Sequence, residues 1–136
     1  MSFAGSNQTW GIDNRTVTLR IINESAGACR LENRVGGADL NPYVAFAACL
    51  GAGLRGVERG LMLPDIGQGN CYEAPGVAQA PSSLEEAADE TDRSPASREV
   101  LSAAMVDNLV RIARFEAGVH RRIVTDLDRR RYFEMA

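Results

Sequence analysis

One run constrains this chain more than any other: Arg30-Leu31-Glu32-Asn33-Arg34, leading through Val35-Gly36-Gly37 into Asn41-Pro42 and the uncharged stretch Tyr43–Leu54. Alternate residues of a strand point to one face, so Arg30, Glu32 and Arg34 project side by side from a strand over 29–35. Gly36 and Gly37 end that strand. Asn41 is a good helix N-cap and Pro42 a good first helical residue. The helix that follows, over 42–59, is apolar on all sides for three turns, a pattern that predicts burial all round. Charge held beside a buried scaffold suits an anion or metal-phosphate site.

The strand before it is readable too. From Arg15 to Ile22 residues alternate, with Val17, Leu19 and Ile21 on one face and Thr16, Thr18 and Arg20 on the other. The short link through Asn23–Ala28 makes the two strands, about 15–22 and 29–35, an antiparallel hairpin. Residues 1–13 read as an irregular lead-in, and 61–81 as a Pro- and Gly-rich loop long enough to be functional or to pack on a partner. Helices are expected over about 83–90, with a Ser/Glu capping box, over 95–104 from Ser94-Pro95, and over 106–130, where Leu109, Ile112, Ala113, Val119, Ile123 and Leu127 recur at helical steps. The fold class is therefore α+β: a short antiparallel hairpin followed by about four helices, in one domain of 136 residues.

Composition narrows the function. A net charge of −3 argues against a general nucleic-acid or acidic-membrane binder. The three cysteines, Cys29, Cys49 and Cys71, show no C-x-x-C spacing. That favours a reducing, cytoplasmic setting over a disulfide framework or zinc site. No secretory pattern opens the chain, and Tyr43–Leu54 is too short for a membrane span.

Among charged residues, Arg15, Arg20, Arg30 and Arg34 against Glu32 leave three surplus positive charges. Guanidinium forks suit phosphate and carboxylate. One glutamate cannot hold Mg²⁺, which would need further carboxylates. The ordinary alternative is a solvated salt-bridge face on an exposed sheet. Strict alternation puts Arg15 and Arg20 on opposite faces, so a shared site needs a bulge or a later strand start. His120, with Glu116 one turn before it, reads as an intrahelical hydrogen bond. Trp10, Tyr43 and Cys49 read as packing residues, and Arg121, Arg122 and Arg129–Arg131 as a solvated helix face. No phosphate-binding loop, dinucleotide fingerprint or Ser-His-Asp arrangement is present.

Three stretches in order, Asn14-Arg15-Thr16-Val17-Thr18-Leu19-Arg20, Arg30-Leu31-Glu32-Asn33-Arg34 and Ala38-Asp39-Leu40-Asn41-Pro42-Tyr43, with Arg131-Tyr132-Phe133-Glu134 near the end, resemble the C-terminal part of the glutamine synthetase catalytic domain. The flavour is that of the branch that γ-glutamylates amines and polyamines. The resemblance implies ATP-dependent ligation with Mg²⁺ or Mn²⁺, in which glutamate becomes γ-glutamyl phosphate and ammonia or an amine displaces the phosphate. It implies that Arg15 contacts the transferring phosphate and Arg20 the nucleotide phosphates. It implies further that Glu32 ligates a metal between those phosphates, and that Arg34 lies near the substrate carboxylate and the phosphoryl group. Full-length members carry most metal-binding glutamates, a metal histidine and the adenine contacts upstream of this segment. The expectation is thus a C-terminal segment, inactive alone, that forms a homo-oligomer or pairs with a complementing N-terminal half. Neither a nucleic-acid nor a membrane partner is expected. The competing reading is a non-catalytic interaction or oligomerisation module.

Overall fold

The computed structural model describes residues 6–135. Length alone suggests one domain, but the chain divides after Ala80 into two compact units. The elements are α+β, with three strands and five helices among the described residues.

The first unit holds a three-stranded sheet, β1 (Trp10–Ile12), β2 (Leu19–Ile22) and β3 (Arg30–Asn33), in that spatial order. The β2–β3 pair is antiparallel, with Arg20 opposite Glu32 and Ile22 opposite Arg30. The β1–β2 pair is parallel, with Trp10 opposite Leu19. β1 lies in the stretch read from sequence as irregular: a three-residue strand is too short to show alternation. Parallel neighbours usually need a crossover of a dozen or more residues. Here residues 13–18 suffice, because the chain retraces only about 10 Å and six residues can span up to about 20 Å.

β2 also begins later than the alternation implies. Residues 15–18 form a turn, so Val17 is fully buried from a turn and not from a strand. Ile22 is buried and shares its face with Arg20, while Leu19, on the other face, is more open.

Helix α1 (Pro42–Glu58) forms for the reasons legible in sequence: the Asn41 side chain accepts from the Tyr43 and Val44 amides at 3.0 and 3.4 Å, and Pro42 opens it. It ends at Gly60, which has positive φ, as the Leu61 amide donates to Gly56 O. The expected burial all round does not occur. No residue of α1 is buried, and Tyr43, Phe46, Leu50, Leu54 and Val57 form an exposed apolar stripe. Tyr43 is 85% exposed, so it is not a packing residue here. Cys49 is exposed as well, with Asn33 Nδ2 donating to its Sγ at 3.4 Å. Three- and four-residue strands offer too little surface to cover a 17-residue apolar helix within this unit.

Residues 61–80 contain no helix and run back along the beginning of the chain. Gly67 N donates to Trp10 O (2.8 Å), Trp10 Nε1 to Pro64 O (2.8 Å) and Gln8 N to Ala78 O (2.9 Å), and Asn7 bridges Gln79. Asn7 is buried, donating to Cys71 O at 2.6 Å and accepting from Thr9 Oγ1 at 2.6 Å. The buried apolar side chains of this unit are Val17, Ile22 and Cys71, the last bonded through its carbonyl to that asparagine.

The second unit is helical: α2 (Leu84–Arg93), α3 (Pro95–Leu101), α4 (Ala103–His120) and α5 (Asp126–Tyr132). Ser83 caps α2, and Ser82 N and Oγ donate to Glu86 at 2.7 and 2.8 Å. The sequence reading has one helix over 106–130. The structure has α4 starting earlier and stopping at His120, and a Thr125–Asp128 capping box then starts α5. α2 runs on to Arg93 and α3 stops at Leu101, short of the expected 104. The core is Ala88, Val106 and Val110, with Leu101 and Ala113 against it. Ile112 is exposed because the inward stripe of α4 is Val106, Val110 and Ala117 with Ala113 partly buried, and Ile123 and Leu127 are exposed beyond the end of α4. Among the described residues no helix is long and apolar enough to cross a membrane.

Candidate functional site

The arginines converge on the β2–β3 pair. Because Arg20 and Glu32 are cross-strand neighbours, their side chains meet on one face. Glu32 receives three guanidiniums: Arg20 Nη1 at 3.3 Å, Arg30 Nε at 3.3 Å and Arg34 Nη1 at 3.8 Å. Arg34 is placed just beyond β3 by its amide, which donates to Thr18 O at 3.0 Å. The Arg20 side chain is only 13% exposed and that of Glu32 29%, while Arg30 stays 54% exposed, so the cluster is buried on its Arg20 side and open on its Arg30 side. Arg20 is also bound from the other side by Asp13.

That last contact was not legible in the sequence. Asp13 follows β1 at a positive φ, a conformation aspartate tolerates better than most residues. It reaches Arg20 because the tight crossover returns the chain beside β2. Its hydrogen bond to Arg20 and the charges of Arg20 and Arg15 hold the Asp13 carboxyl below the usual carboxylate range. The same bond, helped by Glu32, raises Arg20 above its ordinary value. Four arginines and two carboxylates thus leave two surplus positive charges, one fewer than the sequence count. The Nε of Arg20 is buried and has no hydrogen-bond partner among the described residues. A buried donor without an acceptor is costly unless something anionic or polar completes it.

Arg15 stands apart from β2, exposed on the 15–18 turn. The late start of β2 removes the conflict of strict alternation, since Arg15 is not a strand residue. The turn is held from behind. Asn14 Oδ1 accepts from Thr16 N (2.9 Å) and Thr16 Oγ1 (2.7 Å), and Asn14 Nδ2 donates to Gly69 O (3.0 Å). Cys71 N donates to Thr16 Oγ1 at 2.9 Å. The loop of 61–80 therefore packs behind the arginine turn.

A metal does not fit these residues alone. Glu32 is engaged by guanidiniums, and among the described residues no group of three His, Cys, Asp or Glu side chains could hold an ion. His120 and Glu116 are both exposed and gather no third ligand. In the helical unit, a hollow of about 330 Å³ is lined by Asp92, Asp107, Val110, Arg111 and Arg114. Its charges serve structure: Arg98 binds Asp92 (2.8 Å) and Asp107 (2.7 Å), and Arg114 binds Asp89 (2.7 Å) and Asp92 (3.0 Å).

Comparison with known proteins gives one answer. The glutamine synthetase catalytic-domain model matches residues 1–132. The chain is 39% identical over 133 residues to gamma-glutamylethanolamide synthetase GlnA4 of Streptomyces coelicolor, covering 98% of this chain and 28% of that protein. It is 37% identical over 136 residues to a glutamate–isopropylamine ligase of a Pseudomonas species, covering 98% and 30%. Among solved structures it is similar to ligand-free GmaS, with a TM-score of 0.80, 28% identity, and coverage of 93% of this chain and 30% of that one. The chain thus spans less than a third of the length of the relatives it matches.

Proposed function

Since the chain belongs to the glutamine synthetase catalytic-domain family, we propose that it forms the phosphate-facing wall of the active site of an ATP-dependent carboxylate–amine ligase. The reaction is amide formation on the side-chain carboxylate of glutamate through γ-glutamyl phosphate. The acceptor is ammonia or an amine, and the named relatives favour a small amine. In this reading Arg15 contacts the transferring phosphate and Arg20 the nucleotide phosphates. Arg34 serves the substrate carboxylate and phosphoryl group. Glu32 orders the guanidiniums and offers one carboxylate to a metal whose other ligands come from outside these 136 residues. Phosphoryl transfer relies on positioning and charge stabilisation, which cation clamps provide.

The observation that carries the reading is the Glu32 carboxylate bracketed by Arg20, Arg30 and Arg34, with the Arg20 Nε–H buried and unmatched. Such a cluster has cations and a spare donor for an anion, and too few carboxylates for a metal. The isolated chain is therefore inactive. Calorimetric titration tests this: ATP binds weakly and without need of Mg²⁺, and Arg15→Ala and Arg34→Ala each weaken that binding further. Micromolar, Mg²⁺-dependent binding to the isolated chain would show a complete site and overturn the proposal.

A second reading, a non-catalytic association module, is favoured by the exposed stripe Tyr43, Phe46, Leu50, Leu54 and Val57 on α1. Both readings need that stripe covered, by the rest of a catalytic domain in the first and by a second copy in the second. Sedimentation of the chain alone and with a polypeptide carrying the upstream part of the domain separates them, because only the first gives a complex with ATP-dependent ligase activity.

A further inference from the structure

Most of the turn that carries Arg15 is held not by its neighbours in the sheet but by a segment more than fifty residues away. Asn14 spends its whole side chain on that task. Its oxygen takes both the amide and the hydroxyl of Thr16, closing the turn over Arg15, and its nitrogen reaches Gly69 O at 3.0 Å. Thr16 Oγ1 in turn accepts the Cys71 amide at 2.9 Å and lies 3.1 Å from Gly69 O. Bonds thus cross from the turn to residues 69–71 on both sides of Arg15, from Asn14 before it and Thr16 after it. The far segment is itself seated firmly. Gly67 N donates to Trp10 O, Cys71 is buried, and a Cβ at Gly67 would meet Cys71 Sγ at 2.9 Å and Trp10 O at 3.0 Å. Arg15 itself is exposed and, unlike Arg20, has no carboxylate bonded to it among the ion pairs described. A long, exposed arginine loses rotamer entropy when it binds an anion, and a loose backbone beneath it adds to that loss.

We propose that Asn14 and Thr16 are positioning residues for Arg15, clipping its turn to residues 69–71 so that the guanidinium meets a phosphate from a fixed backbone. This gives the long loop a role: it is the anvil behind the arginine turn. The inference rests on the reading of Arg15 as a phosphate-contacting residue, and it fails separately from that reading.

The test uses the 136-residue chain with inorganic pyrophosphate as titrant. Asn14→Ala and Thr16→Val each weaken pyrophosphate binding about fivefold to tenfold, the effect of losing one or two net hydrogen bonds. Thr16→Ser, which keeps the hydroxyl, restores it. In an Arg15→Ala background Asn14→Ala has no further effect, since its contribution runs through Arg15. Equal losses from Asn14→Ala with and without Arg15 would overturn the positioning role, as would unchanged affinity in Asn14→Ala. Native-state trypsin cleavage after Arg15, followed by mass spectrometry, tests the clip without any ligand. Asn14→Ala and Asn14→Asp accelerate that cut about tenfold over the wild-type chain, because the Gly69 bond is gone in both. If the wild-type chain does not bind pyrophosphate, the functional reading falls and the trypsin rate alone decides the clip. An unchanged rate refutes the clip, and an accelerated one upholds it.

Discussion

Gly67→Ala is a direct test of how closely the loop is pressed against the start of the chain. A Cβ built at Gly67 lies 2.9 Å from Cys71 Sγ, 3.0 Å from Trp10 O and 3.1 Å from Val17 Cγ1. The sulfur belongs to a buried side chain and the oxygen to the backbone, so neither is a flexible tip that can swing away. Retreat of residue 67 by a few tenths of an ångström would stretch its own 2.8 Å bond to that same Trp10 O. Overpacking a tight interior costs about 1–3 kcal/mol, and weakening one backbone hydrogen bond costs about 1 kcal/mol, so the expected loss is about 2–4 kcal/mol. Trp10 is the only tryptophan and lies on β1 itself, so urea unfolding followed by its fluorescence reads this unit. Gly69→Ala is the internal comparison. Nothing lies within 4 Å of its added Cβ, but its φ of +64° is left-handed, which costs a non-glycine residue about 1–2 kcal/mol. A Gly67→Ala loss below about 0.5 kcal/mol, or one smaller than that of Gly69→Ala, would refute the close packing of the loop on β1.

Three other outcomes follow from the same structure. Val106 is fully buried among Ala88, Val110 and Leu101, so Val106→Ala costs about 2–3 kcal/mol, seen as an earlier loss of helical circular dichroism in urea. Asn41→Ala removes the acceptor for the Tyr43 and Val44 amides and lowers the stability of α1 by about 1 kcal/mol, read as lost helicity. Asp13 beside Arg20 and Asp89 beside Arg114 both have carboxyls held below the ordinary 3.8, chiefly by those hydrogen bonds. Their folded pKa lies below the unfolded one, so the stability they add is fully present above about pH 4 and is lost as pH falls through the depressed folded values. The urea midpoint of the helical unit should therefore fall on acidification below pH 4, and fall less steeply in Asp89→Asn.

What the sequence revealed and what it hid divide along physical lines. The shared face of Arg30, Glu32 and Arg34 was legible, because alternation along a strand sets it, whereas the place of Arg20 opposite Glu32 depends on a strand register that alternation leaves open. The caps at Asn41, Ser83 and Ser94 were legible, because capping is local chemistry. Asp13 was hidden, since its approach to Arg20 depends on a parallel crossover too short to leave a pattern. The clip between Asn14 and Gly69 was hidden for the same kind of reason: a hydrogen bond across fifty-five positions has no periodicity. The break between α4 and α5 was available in Thr125-Asp126-Leu127-Asp128, but apolar residues at helical steps ran across it and dominated the reading. The apolar helix α1 was read as buried because its composition calls for burial. Composition states what a segment requires, and the elements beside it decide whether that is met.

The docking of residues 64–80 on residues 6–16 also sets an order of events as the chain is made. β1 and the Arg15 turn have part of their hydrogen bonding more than fifty residues later, so neither is complete before the loop has emerged. Closing so long a loop is slow compared with forming helices from local contacts. The helical unit meets no such delay: its longest described ion pair joins Glu85 to Arg121 and most of its bonds lie within two turns. Meanwhile α1, which lies inside the unclosed loop, has its apolar stripe open to water from the moment it forms. Synthesis of this chain therefore passes through an interval in which its stickiest helix is made and the turn that carries Arg15 is not yet pinned, a state in which chaperone capture competes with folding.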